Sequence, residues 1–278
     1  PAMSRLLRAS FARLKKDKTF WICMAVMFGI GALFVISNYV TMKFRGYGAT
    51  VDDALFSYGT YIGMFLAAFS SLYIGKEYSD GTIRNKLVVG HSRSSIYLSN
   101  LIVNMVVSLL LATAYIAAVL GIGIPLLGGL HSTLESVLRV LFGSVMMAFA
   151  LASIFTLLSM LNQNKAAVIE LAGFFIFVFF SIYIHARLLE PKVYESYSYV
   201  DENNGKVVTE EAEPNPNYLT GTKRAVFEFA EDFLPTGQSL QLSQWAPTHY
   251  ERMLAYSAVL CVITTAGGVY FFRKKDLK

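Results

Sequence analysis

Five long stretches of this sequence contain no Asp, Glu, Lys or Arg, and they constrain the fold more than any other feature. A helix needs about 20 apolar residues to cross a bilayer core of roughly 30 Å, so each stretch is long enough for one crossing. A sixth stretch qualifies with one carboxylate inside it, Glu170. The six stretches cover residues 19–42, 54–75, 94–130, 140–164, 166–184 and 253–272.

The composition of the whole chain supports the same interpretation. Only 15% of the 278 residues are charged and 55% are hydrophobic, whereas soluble domains carry roughly 25% charged residues. One soluble core cannot bury so many uncharged helices, which argues against a soluble globular protein. The sequence therefore predicts an all-α integral membrane fold with six transmembrane helices.

Positive charges in the connections predict the orientation, because cytoplasmic loops are enriched in Lys and Arg. With six crossings both termini lie on one side, and fifteen of the 24 Lys and Arg residues fall on that side. The connection 185–250 has the opposite balance, with ten acidic and five basic residues. We therefore expect a multi-pass protein of the plasma membrane with both termini cytoplasmic. The net charge of +5 follows from this topology and does not argue for a nucleic-acid partner.

The segment before the first crossing has the pattern of an amphipathic helix. Leu7, Phe11 and Leu14 recur at helical spacing with Leu6 beside them, and bases occupy most other positions, as in a helix that lies in the membrane interface. A plain cytoplasmic anchor is the alternative. The predicted segments are a tag remnant at 1–2, the interfacial helix at 3–18, transmembrane helices one to five within 19–184, an acidic extracellular segment of mixed structure at 185–250, the sixth helix at 251–272 and a basic cytoplasmic tail at 273–278.

The third uncharged stretch is too long for one crossing. Gly121, Gly123 and Pro125 disfavour a continuous helix, which predicts that the third helix ends near Ile122. A short outer turn then precedes the fourth helix, which is expected to begin around Leu134. A re-entrant element marked by the Pro and Gly residues is the alternative.

The connection 76–93 contains the pattern of a short capped helix. Ser79 and Asp80 are candidate caps, Gly90 is a candidate stop, and Ile83 and Leu87 share one face of the predicted helix at 82–89. Two interpretations stay open at this point. The helix is either a docking element for a cytoplasmic partner or an ordinary solvated connector.

Residues 75–99, GKEYSDGTIRNKLVVGHSRSSIYLS, resemble the loop between the second and third helices of type-2 ABC exporter permeases. An acidic residue after the second span, a Gly-Thr pair, a glycine and a Ser-Arg pair recur in that family at the spacing of Glu77, Gly81-Thr82, Gly90 and Ser92-Arg93. The layout of the whole chain is also similar to the family. Asn100 departs from it, because many relatives carry a lysine there.

The resemblance implies that the helix within 79–90 is a coupling helix seated in a cleft of a separate ATPase subunit, with two permeases and two ATPases in the complex. The chain lacks the G-x-x-x-x-G-K-[ST] motif that cradles phosphates. We therefore expect a transport subunit that is not an enzyme and binds no cofactor itself, with ATP and magnesium on the partner. The candidate coupling residues are Glu77, Asp80, Gly81, Thr82, Ile83, Arg84, Leu87 and Arg93. Arg93 is expected either to anchor the loop, to head groups or to Glu77, or only to follow the positive-inside rule.

The resemblance also places the translocation route between two copies of the chain, lined by the second and fifth helices. The candidate lining residues are aromatic: Tyr58, Tyr61, Phe65, Phe69, Phe174 and Phe177. Aromatic walls with few charges suit an amphipathic or lipid-like cargo. Packing between helices or against lipid is the alternative role for these side chains.

Glu170 is the only acidic residue inside a predicted crossing, and such a group is costly and often functional. It lies about one turn from the cytoplasmic end, where water or Lys165 is expected within reach. The hypothesis is a gate or an inter-subunit contact, and proton coupling is the weaker alternative.

Three patterns predict small elements in the segment 185–250. Tyr194, Tyr197 and Tyr199 alternate as in a strand, which pairs with residues 206–209 across Asn203-Asn204-Gly205. A helix over 222–233 is expected to end before Pro235, and residues 239–245 are expected to lie at the membrane interface. The acidity of the segment suits a site for a cationic peptide, an exit lid or a solvated cap.

Together these patterns predict the permease subunit of an ABC exporter, with an amphipathic peptide, including the antimicrobial or toxin kind, as the expected cargo. Lipids or drugs are the alternative cargo. A membrane sensor that passes an outside signal to a cytoplasmic partner is the rival function. An intramembrane enzyme is the weaker rival, because the four histidines are scattered along the sequence without metal-ligand spacing.

Overall fold

The computed structural model describes residues 2–46, 48–162, 166–200 and 207–276, and most of them are helical. The helices are α1 (Ala2–Leu14), α2 (Lys18–Arg45), α3 (Asp52–Leu55), α4 (Tyr58–Ser79), α5 (Thr82–Val88), α6 (Arg93–Leu127), α7 (Leu134–Leu161), α8 (Ala166–Leu188), α9 (Gly221–Phe233), α10 (Pro235–Ser243) and α11 (Tyr250–Lys274). The strands are β1 (Val193–Tyr194), β2 (Tyr197–Val200), β3 (Val207–Glu210) and β4 (Glu213–Pro214).

Six helical segments in the described part of the chain are long and apolar enough to cross a membrane. They are α2, the combined α3 and α4, α6, α7, α8 and α11. This confirms the predicted all-α membrane fold with six transmembrane helices. The alternation of crossings places α5 at one end of the bundle and α10 at the other, and we call these the α5 end and the α10 end.

The outer surface of the bundle is apolar over the length of the crossings. Helices α2, α8 and α11 expose large hydrophobic side chains such as Leu33, Phe179 and Val262, whose exposed fractions are 68%, 69% and 67%. A soluble protein rarely exposes such continuous apolar surface. These faces are therefore the surface that meets the hydrocarbon of the bilayer.

Helix α6 does not end near Ile122, so that prediction is wrong. It continues through Pro125 and ends at Leu127, and the residue that follows, Gly128, has a φ of 92° that requires a glycine. Pro125 removes the helical hydrogen bond to the carbonyl of Gly121, and α6 continues for only two more residues. A Cβ on Gly123 would lie 3.3 Å from Val51 and 3.4 Å from Val35, so this glycine allows α6 to pack closely on its neighbours.

The caps predicted for the short helix α5 are also wrong. The Ser79 hydroxyl donates to the carbonyl of Gly75, and Asp80 is the residue that ends α4. The turn into α5 is made instead by Gly81, whose backbone has φ 65°, and Gly90 leaves it with φ 97°. The chain reverses at both places through left-handed conformations that glycine adopts without strain.

Helix α1 packs against protein along part of the face predicted to meet lipid. Leu6, Ser10 and Leu14 are buried, and the Ser10 carbonyl accepts a hydrogen bond of 2.9 Å from the Tyr73 hydroxyl. Phe11 is partly buried against the same core. The expectation that the whole apolar face lies in the membrane is wrong for Leu6 and Leu14, because α4 and α6 offer a closer apolar surface. Pro1, half of the predicted tag remnant, lies outside the described residues.

The outer segment contains two small antiparallel pairs. Strand β2 pairs with β3, with Ser198 opposite Thr209, and β1 pairs with β4. Tyr194 therefore belongs to a different strand from Tyr197 and Tyr199, contrary to the single predicted strand. The predicted turn at Asn203-Asn204-Gly205 lies outside the described residues.

Helix α10 is buried, although its residues were predicted to form a piece at the membrane interface. The Thr236 hydroxyl contacts the Ser181 hydroxyl at 2.7 Å, and Leu242 packs on Gly143. Pro235 is the first residue of this helix, a position where its missing N–H costs nothing. A short helix is thus inserted between α4, α7 and α8 at the α10 end of the bundle.

Candidate functional site

Glu77, near the last turn of α4, is a buried carboxylate that three other elements contact. Its side chain is 1% exposed. Oε1 lies 3.0 Å from the guanidinium of Arg13 on α1 and also accepts a hydrogen bond from the ammonium of Lys86 on α5. Oε2 accepts a hydrogen bond of 3.0 Å from the amide of Asn100 on α6. Two cations and an amide offset the cost of burying this charge.

This placement corrects one predicted contact. Glu77 was expected to touch the ATPase, but its carboxylate is enclosed by the chain's own Arg13, Lys86 and Asn100 and cannot reach a partner. Its position instead ties α5 to α1, α4 and α6. Asn100, the position that departs from the family pattern, supplies one of these ties.

A second ion pair, beside Glu77, joins the end of α4 to the start of α2. Lys76 donates to Asp17 at 2.9 Å, and Asp17 caps α2 by accepting from the backbone N–H of Phe20 at 3.1 Å. Burial raises the pKa of Asp17, but the hydrogen bonds and charge of Lys76 and the Phe20 N–H lower it by more, so the carboxyl titrates below its usual value. The start of α2 is thereby fixed to the end of α4.

Arg93 does not contact Glu77, so that predicted contact is wrong, whereas anchoring to lipid head groups stays a prediction. Its guanidinium donates to the carbonyls of Phe272, at 3.2 Å, and of Lys275. Lys275 in turn donates to the carbonyls of Met160 and Leu161, both at 2.9 Å. Burial lowers the pKa of Lys275 to about 8. The end of α11 is thus bound beneath α6 and α7, as cations near helix C-termini often bind the last carbonyls.

One face of α5 is exposed and partly apolar. Val88 and Val89 are 81% and 78% exposed, beside the exposed Arg84. On the opposite face Ile83 is buried and Leu87 is partly buried against the core. Among the other predicted coupling residues, Asp80 is exposed and Gly81 and Thr82 are half-buried.

The valines were missed by the sequence analysis, although a signal for them exists. Val88 lies four residues after Arg84 and therefore on the face turned away from Ile83 and Leu87. Two β-branched side chains at that position have no core to enter. The exposed face thus combines one cation with an apolar pair, which is the composition of a small docking surface.

A network of hydrogen-bonded, buried polar side chains, which we call the polar network, crosses the bundle behind this site. Asn104 on α6 donates to the Ser70 hydroxyl at 2.9 Å and to the Thr156 hydroxyl at 2.7 Å. Ser70 contacts Ser159 at 3.1 Å, and Ser159 donates to Glu170 at 2.5 Å. Inside a bilayer such groups require protein partners, because no water is present to satisfy them. The polar network joins α4, α6, α7 and α8.

Glu170 is fully buried at the end of the polar network, which corrects the expectation that it reaches water. Oε1 is held by Ser159, whereas Oε2 has no hydrogen-bond partner among the residues that the structure describes. Lys165, the predicted alternative partner, lies outside the described residues. A role as a gate or inter-subunit contact stays a prediction.

Three of the six predicted route residues pack inside the chain. Tyr58 lies between the rings of Phe56 and Tyr115, with centroids 6.3 and 5.8 Å away. Phe69 stacks on Tyr73 at 5.0 Å, and it is fully buried.

Phe174 is 6% exposed and occupies the space left by the missing side chain of Gly63. The lining role predicted for Tyr58 and Phe69 is therefore wrong within this chain, since their rings fill the core. Phe174 also lines a cavity of about 280 Å³ beside α7, and its predicted role stays a prediction. Tyr61 and Phe65 are partly buried, and Phe177 is 49% exposed.

Two histidines that looked unrelated in the sequence meet at the α10 end. The imidazole of His185 contacts Glu231 at 2.5 Å, and that of His249 contacts Asp232 at 2.9 Å. Burial raises the pKa of Glu231, and the contact with His185 opposes this by a smaller amount. The pairs link α8, α9 and the start of α11 beside a cavity of about 230 Å³. Within the described residues, no group of three or more His, Cys, Asp or Glu side chains is arranged to hold a metal ion.

Comparison with known proteins identifies the family to which the chain belongs. No curated protein matches the chain. The family described as ABC-2 family transporter protein matches residues 6–181, which run from α1 into α8 and include α5 and the contacts of Glu77. Since this match covers more than half of the chain, the protein belongs to the ABC-2 transporter family and is the membrane permease of an ABC transporter.

Proposed function

We propose that this permease works as an exporter in which two copies form the route and each receives a separate ATPase subunit on its α5 helix. ATP and magnesium bind on that partner. The observation that carries the proposal is the exposed pair Val88 and Val89 on a helix whose other face is fixed in the bundle. Burying two valines on a partner is favourable by up to about 1.5–3 kcal/mol each. Arg84 adds a charge that can select an acidic rim.

The contacts of Glu77 give this docking surface a mechanical role. Lys86 lies on α5, and its ammonium binds the same carboxylate oxygen as Arg13. A displacement of α5 by the ATPase therefore acts directly on α1 and α4, and on α6 through Asn100. The short helix need not bend to transmit the movement, because its buried side is held by charge and by Ile83.

The proposed orientation places α5 and both termini in the cytoplasm of a cell whose plasma membrane holds the protein. The distribution of Lys and Arg supports it, with fifteen of 24 on the α5 side. The acidic segment 185–250 then lies outside. An ATPase has access to Val88 and Val89 only in this orientation.

An amphipathic peptide is the proposed cargo, with lipids or drugs as the alternative. The acidic outer segment favours a cationic molecule on the exit side. Tyr61, Phe65 and Phe177 remain available to line the route, because they keep exposed surface. These aromatic groups suit the apolar face of such a peptide.

The test is co-purification with the ABC ATPase, followed by measurement of ATP turnover. The variant V88D/V89D places two charges on the proposed docking surface and is expected to lose the ATPase. The matched control is V193D/V207D, which changes two exposed valines of the outer segment. If V88D/V89D retains the ATPase and full turnover, docking through α5 is refuted. If the wild-type chain does not bind the ATPase at all, the sensor function becomes the better proposal.

A further inference from the structure

His185, in the last turn of α8, contacts two other elements at the α10 end through its two ring nitrogens. Nδ1 lies 2.5 Å from a carboxylate oxygen of Glu231 on α9. Nε2 lies 3.2 Å from the side-chain carbonyl oxygen of Gln244, the residue that follows α10. Both nitrogens therefore face oxygen acceptors. A neutral imidazole carries one N–H, whereas an imidazolium carries two and can donate to both oxygens.

The contact with Gln244 supports the backbone of the next residue, which is strained. Trp245 has a φ of 58°, in the left-handed region that a bulky side chain rarely adopts. Such a conformation persists only where the surrounding contacts fix it. The Trp245 indole N–H donates to the carbonyl of Asp52 at 2.9 Å, and its ring packs edge-on against Phe56. The turn after α10 is thus held by these contacts on one side and by His185 on the other.

The carboxylates beside His185 are buried and adjacent in the sequence. The side chains of Glu231 and Asp232 are 6% and 2% exposed. Two like charges buried side by side are unfavourable unless cations offset them. His249, the residue before α11, contacts Asp232 at 2.9 Å, so each carboxylate has its own imidazole. The charge on these two imidazoles therefore decides how well the carboxylates are compensated.

Water reaches both pairs through the cavity of about 230 Å³ that they line. The other charged groups of its lining, Arg224 and Glu228 of α9, bind each other at 2.8 Å. Arg187 of α8 donates to a backbone carbonyl of the outer segment, and none of the nine residues of α10 is titratable. In the described part of the chain, the two imidazoles are thus the only basic groups that pair with these carboxylates. Imidazoles change charge between about pH 5 and pH 8.

We propose that His185 is a proton-operated latch that holds the turn after α10 against α8 and α9. The protonated ring donates to both Glu231 and Gln244. The neutral ring donates to only one of them and leaves the buried carboxylate without a counter-charge, so the turn around Trp245 is released. Because the held arrangement needs the proton, low pH favours it and rising pH weakens it. This inference goes beyond the proposed exporter complex and depends on neither its cargo nor its ATPase.

Trp245 is a natural reporter of the latch. The chain has one other tryptophan, Trp21, which is exposed on α2 near the opposite end of the bundle. In a Trp21→Phe parent, the fluorescence therefore comes from Trp245 alone. The full-length protein in detergent micelles is titrated between about pH 5 and pH 8, and the quenching of Trp245 by acrylamide, which is neutral, is measured. We expect the accessibility of Trp245 to rise several-fold with pH.

Three variants of this parent identify the group that titrates. His185→Gln keeps a polar side chain that does not titrate, and it should show high accessibility at every pH. Glu231→Gln keeps the shape of the carboxylate without its charge, and it should weaken the response even if His185→Gln does not fold. The matched control is His131→Gln, because His131 is an exposed histidine 3.8 Å from the Asp52 carboxylate and close to the same turn. This control should keep the full response.

Three outcomes would overturn the proposal. The first is an accessibility that stays constant or falls as the pH rises, which would show that the Gln244 amide rotates to bind a neutral ring. The second is a full response in His185→Gln or Glu231→Gln. The third is a response that is lost in His131→Gln, which would assign the titration to the contact with Asp52. Because no measurement requires the ATPase, failure here is distinguishable from failure of the proposed exporter complex.

Discussion

The carboxylate of Glu77 lies 3.0 Å from the guanidinium of Arg13, although a complete transmembrane helix separates the two residues in the chain. Lys86 completes the group from the other direction in the sequence. A buried carboxylate with two cationic partners is stable only while the partners stay in place. The position of α5 is therefore linked to the position of α1.

Replacing Glu77 by Ala is expected to destabilise the protein by about 3–5 kcal/mol, because Arg13 and Lys86 lose their common counter-charge. Thermal unfolding in detergent measures the loss. The matched control is Asp80→Ala, which removes an exposed carboxylate three residues away. Equal unfolding temperatures for the two variants would show that the Glu77 contacts contribute nothing to stability.

Asp17 predicts a dependence of stability on acid pH. Its pKa is lower in the folded protein than the ordinary value near 3.8, so its ionised form stabilises the fold. That stabilisation is present above the ordinary pKa and is lost as the pH falls through the folded pKa. Asp17→Asn should therefore unfold at a lower temperature than wild type at neutral pH, with the difference shrinking in acid. A difference independent of pH would contradict the assignment.

Gly63 predicts a packing defect that a second change should relieve. A Cβ at Gly63 would lie within 2.9 Å of several ring atoms of Phe174, closer than real contacts allow. Gly63→Ala should cost about 1–3 kcal/mol, whereas Gly29→Ala, with open space around it, should be neutral or slightly stabilising. Adding Phe174→Ala should make the Gly63→Ala cost much smaller. Additive losses would contradict the close packing of α4 on α8.

The transmembrane helices were predictable because each is a long run without charge, and no tertiary contact is needed to recognise it. The fate of Pro125 was not predictable from the same local rule. Gly123 packs closely against Val35 and Val51, and the sequence around Pro125 does not reveal this tertiary contact. Proline and glycine residues thus predict the end of a helix only where tertiary contacts do not extend the helix past them.

Helix α10 could not be recognised as buried because its sequence is polar. Gln238 donates to the carbonyl of Asp232 at 2.8 Å and accepts from Ser257 at 2.7 Å, so partners distant in the chain satisfy it. Glu77 was misassigned for the same reason. An acidic residue after a span resembles an exposed contact unless Arg13 and Lys86 are known to converge on it.

The last prediction concerns Asn104, because this residue is the branch point of the polar network. Asn104→Leu removes two hydrogen bonds and leaves the hydroxyls of Ser70 and Thr156 with fewer partners. The expected cost is about 1–2 kcal/mol, the range found for polar contacts between membrane helices. Thr113→Val is the matched control on α6, because the Thr113 hydroxyl is exposed and bonds only within its own helix.

A double-mutant cycle decides whether Asn104 and Glu170 belong to one network. Ser159→Ala breaks the contact to Glu170 at the far end of the polar network. If the polar groups act as a unit, Asn104→Leu and Ser159→Ala together should cost less than the sum of the single changes, by more than about 0.5 kcal/mol. Strict additivity would show that the two contacts are independent. A change in ATP turnover with Asn104→Leu but not with Thr113→Val would extend the network to coupling, since Asn100 lies one turn closer to α5 on α6 and donates to Glu77 on α4.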